Sequence, residues 1–429
     1  MGITVYLRRA FLLAVLLVPM LAGAQEKKFS VVANYLMRGE IRDGGLSVSD
    51  EGEAGYARFV LSRTRIGASF EHDWLSARLV AQHAGTWGSI EGNSLSMNEA
   101  WIRFGTKGFF AKVGRQSLSY DDQRIFGLDD WSMTGISHDA VKVGFEGGAH
   151  KVHLIGAYNQ DVANMDKGGT RFSGGLQPYK GLGAAWYHVD ISKVGLSALF
   201  MDLGLQSTED LKSTFHQHLA GAFVSWQPKR FGLEGAYYHQ WGKEQSGLPV
   251  NAWMASVKAT ARISDMLFAR AGYDYLSGDE DFAVPGQGMI GLTRHEVVNG
   301  FSSLYGSNHK FYGAMDFFYV STYVSGFTPG LQNLYAGVTF KPVEKLSVDA
   351  AYHYLSTAVQ VKDHLRALGH EVELTASWRF SKDVSLSAGY SFMQGTETMS
   401  ALKRTADNNR LHWGWVMLLV TPRFFETKW

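Results

Sequence analysis

The 429-residue sequence has no cysteine, only 8 prolines, and almost no surplus of charge of either sign. The absence of cysteine excludes disulfide bonds, thiolate metal sites and thiol catalysis. Because 41 Lys and Arg are balanced by 40 Asp and Glu, the chain lacks the basic surplus typical of nucleic-acid binding, and we expect no nucleic-acid partner. Beyond residue 24, no apolar run is long enough to cross a membrane as a helix.

Glycine and aromatic residues are abundant. The chain has 48 glycines, 13 % aromatic residues and 45 % hydrophobic residues. This apolar content supports a packed fold and argues against intrinsic disorder. The composition therefore predicts an ordered protein in which glycine has a structural use other than a collagen-like repeat.

The first 24 residues have the three parts of an export signal. The basic pair Arg8-Arg9 precedes a short apolar run, residues 10–18, and Ala22-Gly23-Ala24 fits a small-residue cleavage site. The apolar run is shorter than the roughly 20 residues that a membrane-spanning anchor requires, which makes an uncleaved anchor the weaker alternative. We therefore expect a signal peptide at 1–24 and a single domain at 25–429.

Alternation of apolar and polar residues recurs along the rest of the chain. Leu346, Val348 and Ala350 alternate with polar or small neighbours, and residues 372–380 and 384–392 repeat the pattern. A period of two is typical of a β-strand with one apolar face. The pattern predicts about 18 strands, near residues 28–41, 54–70, 74–86, 95–106, 108–117, 137–147, 149–160, 179–191, 193–205, 215–227, 230–241, 249–263, 265–277, 330–341, 345–357, 367–380, 383–397 and 409–425.

Two features favour a membrane barrel over a soluble β-sandwich, which would show the same alternation. The apolar faces often end in aromatic residues, such as Tyr352 and Tyr354, as the aromatic girdles of membrane barrels do. The predicted connections also alternate between tight turns and longer loops. The sequence thus predicts an all-β, antiparallel, up-and-down transmembrane barrel with short periplasmic turns and long extracellular loops. We expect it in the outer membrane, in contact with outer-membrane lipid and inserted by the barrel-assembly machinery.

Three stretches combine charged and aromatic residues. They are residues 61–66 with an Arg-x-Arg core, residues 113–127 (VGRQSLSYDDQRIFG) continuing to Trp131 and His138-Asp139, and residues 305–316 (YGSNHKFYGAMD). In these stretches the chain resembles the bacterial alginate-export family of outer-membrane β-barrels. The resemblance implies a monomeric 18-stranded barrel whose arginine-lined lumen passes an anionic polysaccharide. The mature chain of about 405 residues leaves no room for an occluding periplasmic turn.

Strand parity places a set of cations on the polar face of the predicted strands. An isolated charge facing lipid at mid-membrane costs about 2–4 kcal/mol, so these side chains are expected to face the lumen. A ring of Arg and Lys selects anions, and a planar guanidinium suits carboxylates. The alternative is that the cations pair with acids and brace the barrel. The predicted pore-lining residues are Arg63, Arg65, Arg78, Arg103, Lys112, Arg115, Lys142 and Arg270.

Two connections are candidates for narrowing the pore. The resemblance implies that loop 118–136 folds inward, held by Arg115 and Arg124 against its aspartates, whereas a surface loop with internal salt bridges is the alternative. Connection 278–329 is too long for an unstructured loop, so we expect part of it to pack into the mouth or to add β-structure. The predicted constriction-loop residues are Tyr120, Asp121, Asp122, Arg124, Asp129, Asp130 and Trp131, and the mouth residues are His309, Lys310 and Asp316.

Three classes of function remain open. The prediction is a channel of the alginate-export type that passes small anions or an anionic polysaccharide. A general, weakly selective porin is the alternative, because the near-zero net charge fits it equally well. A hydrolase is the remote alternative: Asp121, Asp122, His138 and Asp139 offer acids and a base, and Ser132 or Ser137 a nucleophile, without a G-x-S-x-G grouping.

One acidic triplet is a candidate metal site. Asp279-Glu280-Asp281 offers carboxylates of the kind that calcium takes, but a solvated acidic loop tip is the simpler interpretation. We therefore predict no catalytic residue, no cofactor and no metal.

Overall fold

The computed structural model describes residues 27–43, 56–160, 177–210, 212–280, 282, 296–316, 318, 328–403 and 410–429. Within these ranges the chain is mostly β-strand, with one short helix, α1 (Glu397–Lys403), and a 3-10 turn (Asn308–Lys310). No helix in the described ranges is long and apolar enough to cross a membrane. The predicted signal peptide lies outside the described residues.

Nineteen strand segments follow one another within the described ranges. Their bounds are β1 (Lys28–Asp43), β2 (Ala57–His72), β3 (Leu75–Thr86), β4 (Ser94–Thr106), β5 (Phe109–Gln116), β6 (His138–Gly147), β7 (His150–Tyr158), β8 (Gly181–Ile191), β9 (Val194–Gln206), β10 (Thr214–Trp226), β11 (Phe231–Lys243), β12 (Pro249–Arg262), β13 (Leu267–Leu276), β14 (Leu331–Val343), β15 (Leu346–Ser356), β16 (Ala367–Arg379), β17 (Val384–Gly395), β18 (Arg410–Val420) and β19 (Arg423–Lys428).

The strands close into a barrel. Each strand pairs antiparallel with the next one in sequence, and β1 pairs with β2 on one side and with both β18 and β19 on the other. Because β18 and β19 follow each other along the same edge of β1, they occupy one strand position. The result is an antiparallel 18-stranded barrel, and the predicted fold class is confirmed.

The predicted last strand, 409–425, is wrong in one respect, because the structure divides it into β18 and β19. The division falls at Thr421 and Pro422, since proline has no backbone N–H to donate to a neighbouring strand. The register of β1 shifts between Val31 and Val32 at the same level. The Pro422 carbonyl still accepts a hydrogen bond from the Ala33 N–H at 3.0 Å, so the seam remains closed.

The two faces of the strands differ as the alternation predicts. Outward-facing Leu79, Leu154 and Leu374 are each about half exposed, whereas inward-facing Gln82 and Glu371 are buried. A wide band of exposed leucine on a protein in water would be an aggregation hazard. On a membrane barrel the same band faces lipid.

The connections differ in length at the two ends of the barrel. Two-residue turns, Asp73-Trp74 and Lys107-Gly108, join β2 to β3 and β4 to β5. At the other end, residues 117–137 join β5 to β6 and residues 277–330 join β13 to β14. Short turns mark the periplasmic end and long loops the extracellular end.

The hydrophobic core lies inside the barrel. Leu118, Ile125 and Phe126, from the connection between β5 and β6, pack in one buried cluster with Tyr305 and with inward-facing Met201. A core in this position fixes the conformation of segments that would otherwise project from the mouth.

Candidate functional site

Residues 117–137, which we call the inward loop, lie within the lumen. Arg63 of β2, whose side chain is 0 % exposed, donates to the carbonyls of Asp130 at 3.1 Å and Ser132 at 3.2 Å. Arg65, two residues along the same face, donates to the Asp130 carboxylate at 2.7 Å and to the Thr134 carbonyl at 3.3 Å. The two arginines therefore hold the loop against the wall formed by β2.

Trp131, at the tip of the inward loop, contacts one guanidinium group and three aromatic rings. The Arg38 guanidinium lies 3.9 Å from the centroid of its ring, and His309 stacks on it at 3.9 Å with an interplanar angle of 9°. Trp413 and Trp415 of β18 contact Trp131 edge-on. A cation over an indole face is worth about 0.5–2 kcal/mol, so this arrangement fixes the loop tip beside β1 and β18.

Arg124 joins the inward loop to the far side of the barrel. Its guanidinium donates to Asp122 within the loop and to Asp274 of β13, each at 2.7 Å, and to Tyr312 Oη at 3.1 Å. Burial alone would lower the pKa of Arg124, but Asp274 and Tyr312 outweigh it and raise the pKa well above its usual value. Burial raises the pKa of Tyr312 to about 12. Because β13 is nearly opposite β5 in the 18-stranded barrel, the loop spans the lumen.

The N-terminal part of the inward loop contacts β7 and β8. The Tyr120 hydroxyl hydrogen-bonds to His153 Nδ1 at 3.0 Å, and His153 Nε2 lies 2.9 Å from the Glu146 carboxylate. Trp186 Nε1 donates to Asp121 at 3.2 Å, and burial raises the pKa of Asp121 despite this bond. Tyr120 and His153 are buried and Glu146 is exposed, so the chain anchors the loop to the wall of the barrel.

Residues 296–316, which we call the mouth segment, pack against the inward loop and the wall of the barrel. His309 Nδ1 lies 2.8 Å from Asp316 Oδ2, and Lys310 Nζ donates to the Asp122 carbonyl at 3.3 Å. Burial lowers the pKa of Lys310, and Asp122 opposes that shift. The mouth segment makes isolated bridges to the inward loop and to β12, and its described residues add no strand to the barrel.

Two carboxylates of β16 hold the backbone of the mouth segment. Glu373 accepts a hydrogen bond from the Ala314 N–H at 2.6 Å, and fully buried Glu371 accepts one from the Met315 N–H at 2.8 Å. Gly313 turns the chain into this position with a φ of 95°, and a Cβ there would lie 2.3 Å from Glu371 Oε2.

We expect Gly313→Ala to displace the mouth segment and to lower the temperature at which the folded barrel unfolds in detergent. The added methyl group would meet a buried carboxylate, and the positive φ alone costs about 1 kcal/mol or more. Gel migration of unheated and heated samples measures the loss of the folded form. Gly88→Ala is the matched control, because Gly88 has a φ of 76° with no neighbour within 4 Å of an added Cβ. Equal behaviour of the two variants would contradict the contact with Glu371.

A cavity of about 460 Å³ lies between the inward loop, the mouth segment and the wall formed by β10–β16. Most charges on that wall are paired: Lys258 with Glu234 at 2.5 Å, and Arg270 with Asp349 at 2.6 Å. The charged residues and histidines lining the cavity are Asp121, Asp122, Arg124, Glu234, Lys258, Arg270, Asp274, His309, Lys310, His353 and Glu373. The lining therefore has no excess of positive charge.

The opposite wall has a different character. Arg103, Lys112 and Lys142 are direct cross-strand neighbours on β4, β5 and β6, and Arg78 faces the lumen from β3; we call these four residues the basic wall. Arg78 pairs with Glu99, and Arg103 lies 4.0 Å from Glu146. Lys112 Nζ sits 3.8 Å from the centroid of the Trp101 ring. Within the described residues, neither Lys112 nor Lys142 has a carboxylate within 4.0 Å.

The structure contradicts the prediction that Arg115 lines the pore. Its neighbours in β5 and β6, Gln116 and His138, are fully buried on the inner face, so Arg115 and its register partner Asp139 point outward. The two form a bidentate pair at 2.9 and 2.7 Å near the extracellular end. Arg115 therefore does not hold the inward loop, and Arg124 does so through Asp274.

The sequence places Asp274 and Glu371 on the polar strand face without predicting their contacts, and it does not single out Arg38. Arg38, Asp274 and Glu371 share the inward parity of their strands, and that parity is the only signal for them in the sequence. Asp279, weighed as a metal ligand, instead accepts hydrogen bonds from the backbone N–H groups of Asn299 and Thr328 at 2.5 and 2.8 Å. The described residues contain no group of three or more side chains suited to a metal ion.

Comparisons with known proteins agree with this architecture. A family model described as Alginate export matches residues 75–412. The fold is similar to OccK2 (OpdF) of Pseudomonas aeruginosa in complex with glucuronate, with a TM-score of 0.62 and 11 % identity over 92 % of this chain and 97 % of that chain. It is also similar to Acinetobacter baumannii OccAB1, with a TM-score of 0.61 and 11 % identity over 92 % of this chain and 97 % of that chain. Pseudomonas aeruginosa OccD3 (OpdP) gives a TM-score of 0.60 at 11 % identity over 92 % of each chain.

At such identities the solved structures establish the fold alone. No curated protein sequence matches the chain significantly. The family match is of a different kind, because it extends over most of the 429 residues, from β3 to the start of β18. The chain therefore belongs to the alginate-export family, and its barrel is an outer-membrane channel.

Proposed function

We propose that the channel passes anionic solutes or an anionic polysaccharide along the basic wall of its lumen. The observation that carries this proposal is the row Arg103–Lys112–Lys142, in which three cations occupy adjacent positions on three neighbouring strands. Within the part of the chain that the structure describes, only Glu99 and Glu146 form ion pairs with the four cations of the basic wall. Their charge is therefore incompletely neutralised and is available to a passing anion.

The spacing of the row suits a chain of carboxylates. Adjacent strands are about 4.8 Å apart, so the row presents a donor group at each strand across the lumen wall. Arg103 offers a planar fork for a carboxylate, whereas Lys112 and Lys142 offer point charges that follow a moving anion. Glucuronate is the ligand named with the similar OccK2 structure, which supports a uronate as the chemical class.

The cavity on the other side of the inward loop favours a second candidate, a general and weakly selective porin. Its lining includes Asp122, Asp274 and Glu373, and its lysines and arginines are mostly paired. A path through the cavity alone would discriminate little between anions and cations. Ion selectivity therefore separates the two candidates.

We expect the triple substitution Arg103→Gln, Lys112→Gln and Lys142→Gln to reduce the permeability ratio of chloride to potassium. A unit charge about 10 Å from a passing ion contributes about 0.4 kcal/mol in water, which a Debye length of about 10 Å reduces to about 0.15 kcal/mol at 0.1 M salt. Three such charges shift the barriers for chloride and potassium by about 0.45 kcal/mol each in opposite directions, so removing them should lower the ratio about fivefold. Reversal potentials across a planar bilayer with a salt gradient measure this ratio.

The matched control removes three cations at the extracellular end of the barrel: Lys243→Gln at the end of β11, and Lys362→Gln and Arg366→Gln in the connection between β15 and β16. A folded basic-wall variant that keeps the original ratio would contradict anion passage along this wall. A ratio near unity in the unmodified channel would favour the general porin.

A further inference from the structure

One sector of the lumen wall carries an aromatic ring that lies against a glycine. Gly272 of β13 and Tyr335 of β14 are direct cross-strand neighbours on the inner face. A Cβ on Gly272 would lie 2.4 Å from both Cζ and Oη of Tyr335, so the phenol ring occupies the space into which a side chain of β13 would project. Tyr335 therefore lies across β13 and presents one face of its ring to the cavity of about 460 Å³ that it lines.

His353 of β15 extends this aromatic surface along the wall. It is the cross-strand neighbour of Tyr335, and the two ring centroids lie 5.4 Å apart with an interplanar angle of 19°. Two residues further along β14, Arg270 lies over Gly337 in the same way and reaches Asp349 on the next strand at 2.6 and 2.7 Å. We call Tyr335 and His353 the ring platform. It gives the cavity a flat aromatic wall with an ion pair beside it.

Hydrogen-bonding groups without protein partners share the cavity with the ring platform. Ser225, Ser256 and Gln227 line it, and within the described residues their side chains make no hydrogen bond. Ser225 is the cross-strand neighbour of Glu234, which pairs with Lys258 at 2.5 Å. That ion pair leaves one carboxylate oxygen as an acceptor and further ammonium hydrogens as donors. The cavity thus offers both donors and acceptors to a ligand.

The charges of the cavity lining nearly cancel. It contains five carboxylates and four Lys and Arg, which gives a net charge of −1 with the histidines neutral. Arg124, Lys258 and Arg270 each lie within 2.7 Å of a carboxylate. Unlike the basic wall, the cavity therefore has no surplus charge that would favour an anion.

We propose that the cavity binds a neutral sugar, with a pyranose ring stacked on Tyr335. The face of an aromatic ring is electrically negative, so it attracts the weakly positive C–H groups on one face of a pyranose. Sugar hydroxyl groups both donate and accept, which matches the free side chains of Ser225, Ser256 and Gln227. The volume of the cavity lies within the range of pockets that hold small molecules, so a mono- or disaccharide is the expected ligand.

This site is separate from the proposed passage of anions and adds a second class of solute to the channel. The two sites lie on different walls, since the basic wall belongs to β3–β6 and the cavity to β10–β16. The triple variant of Arg103, Lys112 and Lys142 is therefore expected to bind neutral sugar as the unmodified channel does.

Block of the ionic current by maltose in planar bilayers measures the binding. A sugar held in the cavity narrows the lumen, so the current should fall with added maltose and saturate. Because maltose carries no charge, its apparent Kd should change less than about twofold between 0.1 M and 1 M salt. Glucuronate, added in the same way, is the charged comparison.

Replacing Tyr335 with Leu is expected to weaken block by maltose about tenfold, whereas Tyr335→Phe should retain it, because only the ring face is required. Tyr237→Leu is the matched control, since Tyr237 lies on the outer surface and is 51 % exposed. A second variant, Ser256→Ala with Gln227→Ala, removes two hydrogen bonds to the sugar without altering the ring platform. It should also weaken block about tenfold.

Three outcomes would overturn the proposal. Equal block by maltose in folded Tyr335→Leu and in the unmodified channel would exclude stacking on the ring platform. Block by glucuronate without block by maltose would assign the cavity to anions. Loss of maltose block in the basic-wall variant, with Tyr335→Leu unaffected, would place the sugar on the opposite wall.

Discussion

Replacing Arg124 with Met is expected to open the lumen, with a several-fold rise in single-channel conductance. The Arg124 side chain is 4 % exposed and connects the inward loop to Asp274 on the far wall and to Tyr312 of the mouth segment. Removing one partner of a buried ion pair costs about 3–5 kcal/mol, because the other charge stays buried without compensation. Asp274 would be that charge, so the loop is expected to leave the wall and water to enter.

Conductance in planar bilayers measures this effect. A variant in which residues 119–135 are replaced by a short glycine–serine connection sets the conductance of a barrel without the inward loop. Arg115→Met is the matched control, because it removes an arginine from a carboxylate pair on the outer surface, away from the lumen. A folded Arg124→Met channel with unchanged conductance would show that the loop is held by other contacts.

A double substitution distinguishes loss of the Arg124–Asp274 ion pair from general destabilisation of the barrel. In Arg124→Met with Asp274→Leu, the buried carboxylate is gone, so the thermal stability of the barrel should recover while conductance stays high. Asn333 and His353 extend the same hydrogen-bonded chain behind Asp274, at 2.9 Å for each step. Recovery of stability together with low conductance would contradict the assigned role of the Arg124–Asp274 bridge.

The fold could be predicted from the sequence because a barrel repeats one local rule. Alternation with period two determines which side chains face lipid, and any error in one strand leaves the others unaffected. The exception was the last strand, where apolar residues continue past Pro422 and hide the missing N–H donor. The alternation describes burial, and hydrogen bonding to β1 decides where the strand divides.

Arg115 is predicted to line the pore and to hold the inward loop, although strand parity opposes this placement. Lys112 and Arg115 are three residues apart on β5, so a period of two places their side chains on opposite faces. Buried Gln116 and His138 mark the inner face in the structure, and Arg115 points away from it.

The contacts that position the inward loop could not be predicted from the sequence, because they join residues that are far apart in the chain. Arg124 and Asp274 are separated by 150 residues, and Arg38 and Trp131 by 93. In the sequence around them, nothing distinguishes these two arginines from other charged residues on a polar strand face or in a loop. Their partners depend on the path of the loop across the lumen, which no local pattern describes.

Arg63→Met is expected to release the tip of the inward loop. Any change in ion selectivity is expected to be secondary to that release. The sequence places Arg63 in the lumen by parity, but its side chain is fully enclosed and donates to the Asp130 and Ser132 carbonyls and to Asn34 Oδ1 at 3.1–3.2 Å. Methionine fills most of the space without any donor, so two loop carbonyls lose their partners. A hydrogen bond from a charged donor contributes about 1.5–3 kcal/mol, so losing these bonds is enough to shift the loop towards a detached state.

The detached state has two readouts: frequent current steps between two conductance levels, and trypsin cleavage after Arg124 in folded protein. Arg58→Met is the matched control, since Arg58 lies in the same strand on the opposite, exposed face. A change of reversal potential without current steps would mean that Arg63 acts on permeating ions directly. Current steps with an unchanged reversal potential would establish that Arg63 is an anchor of the loop and does not set the ion selectivity.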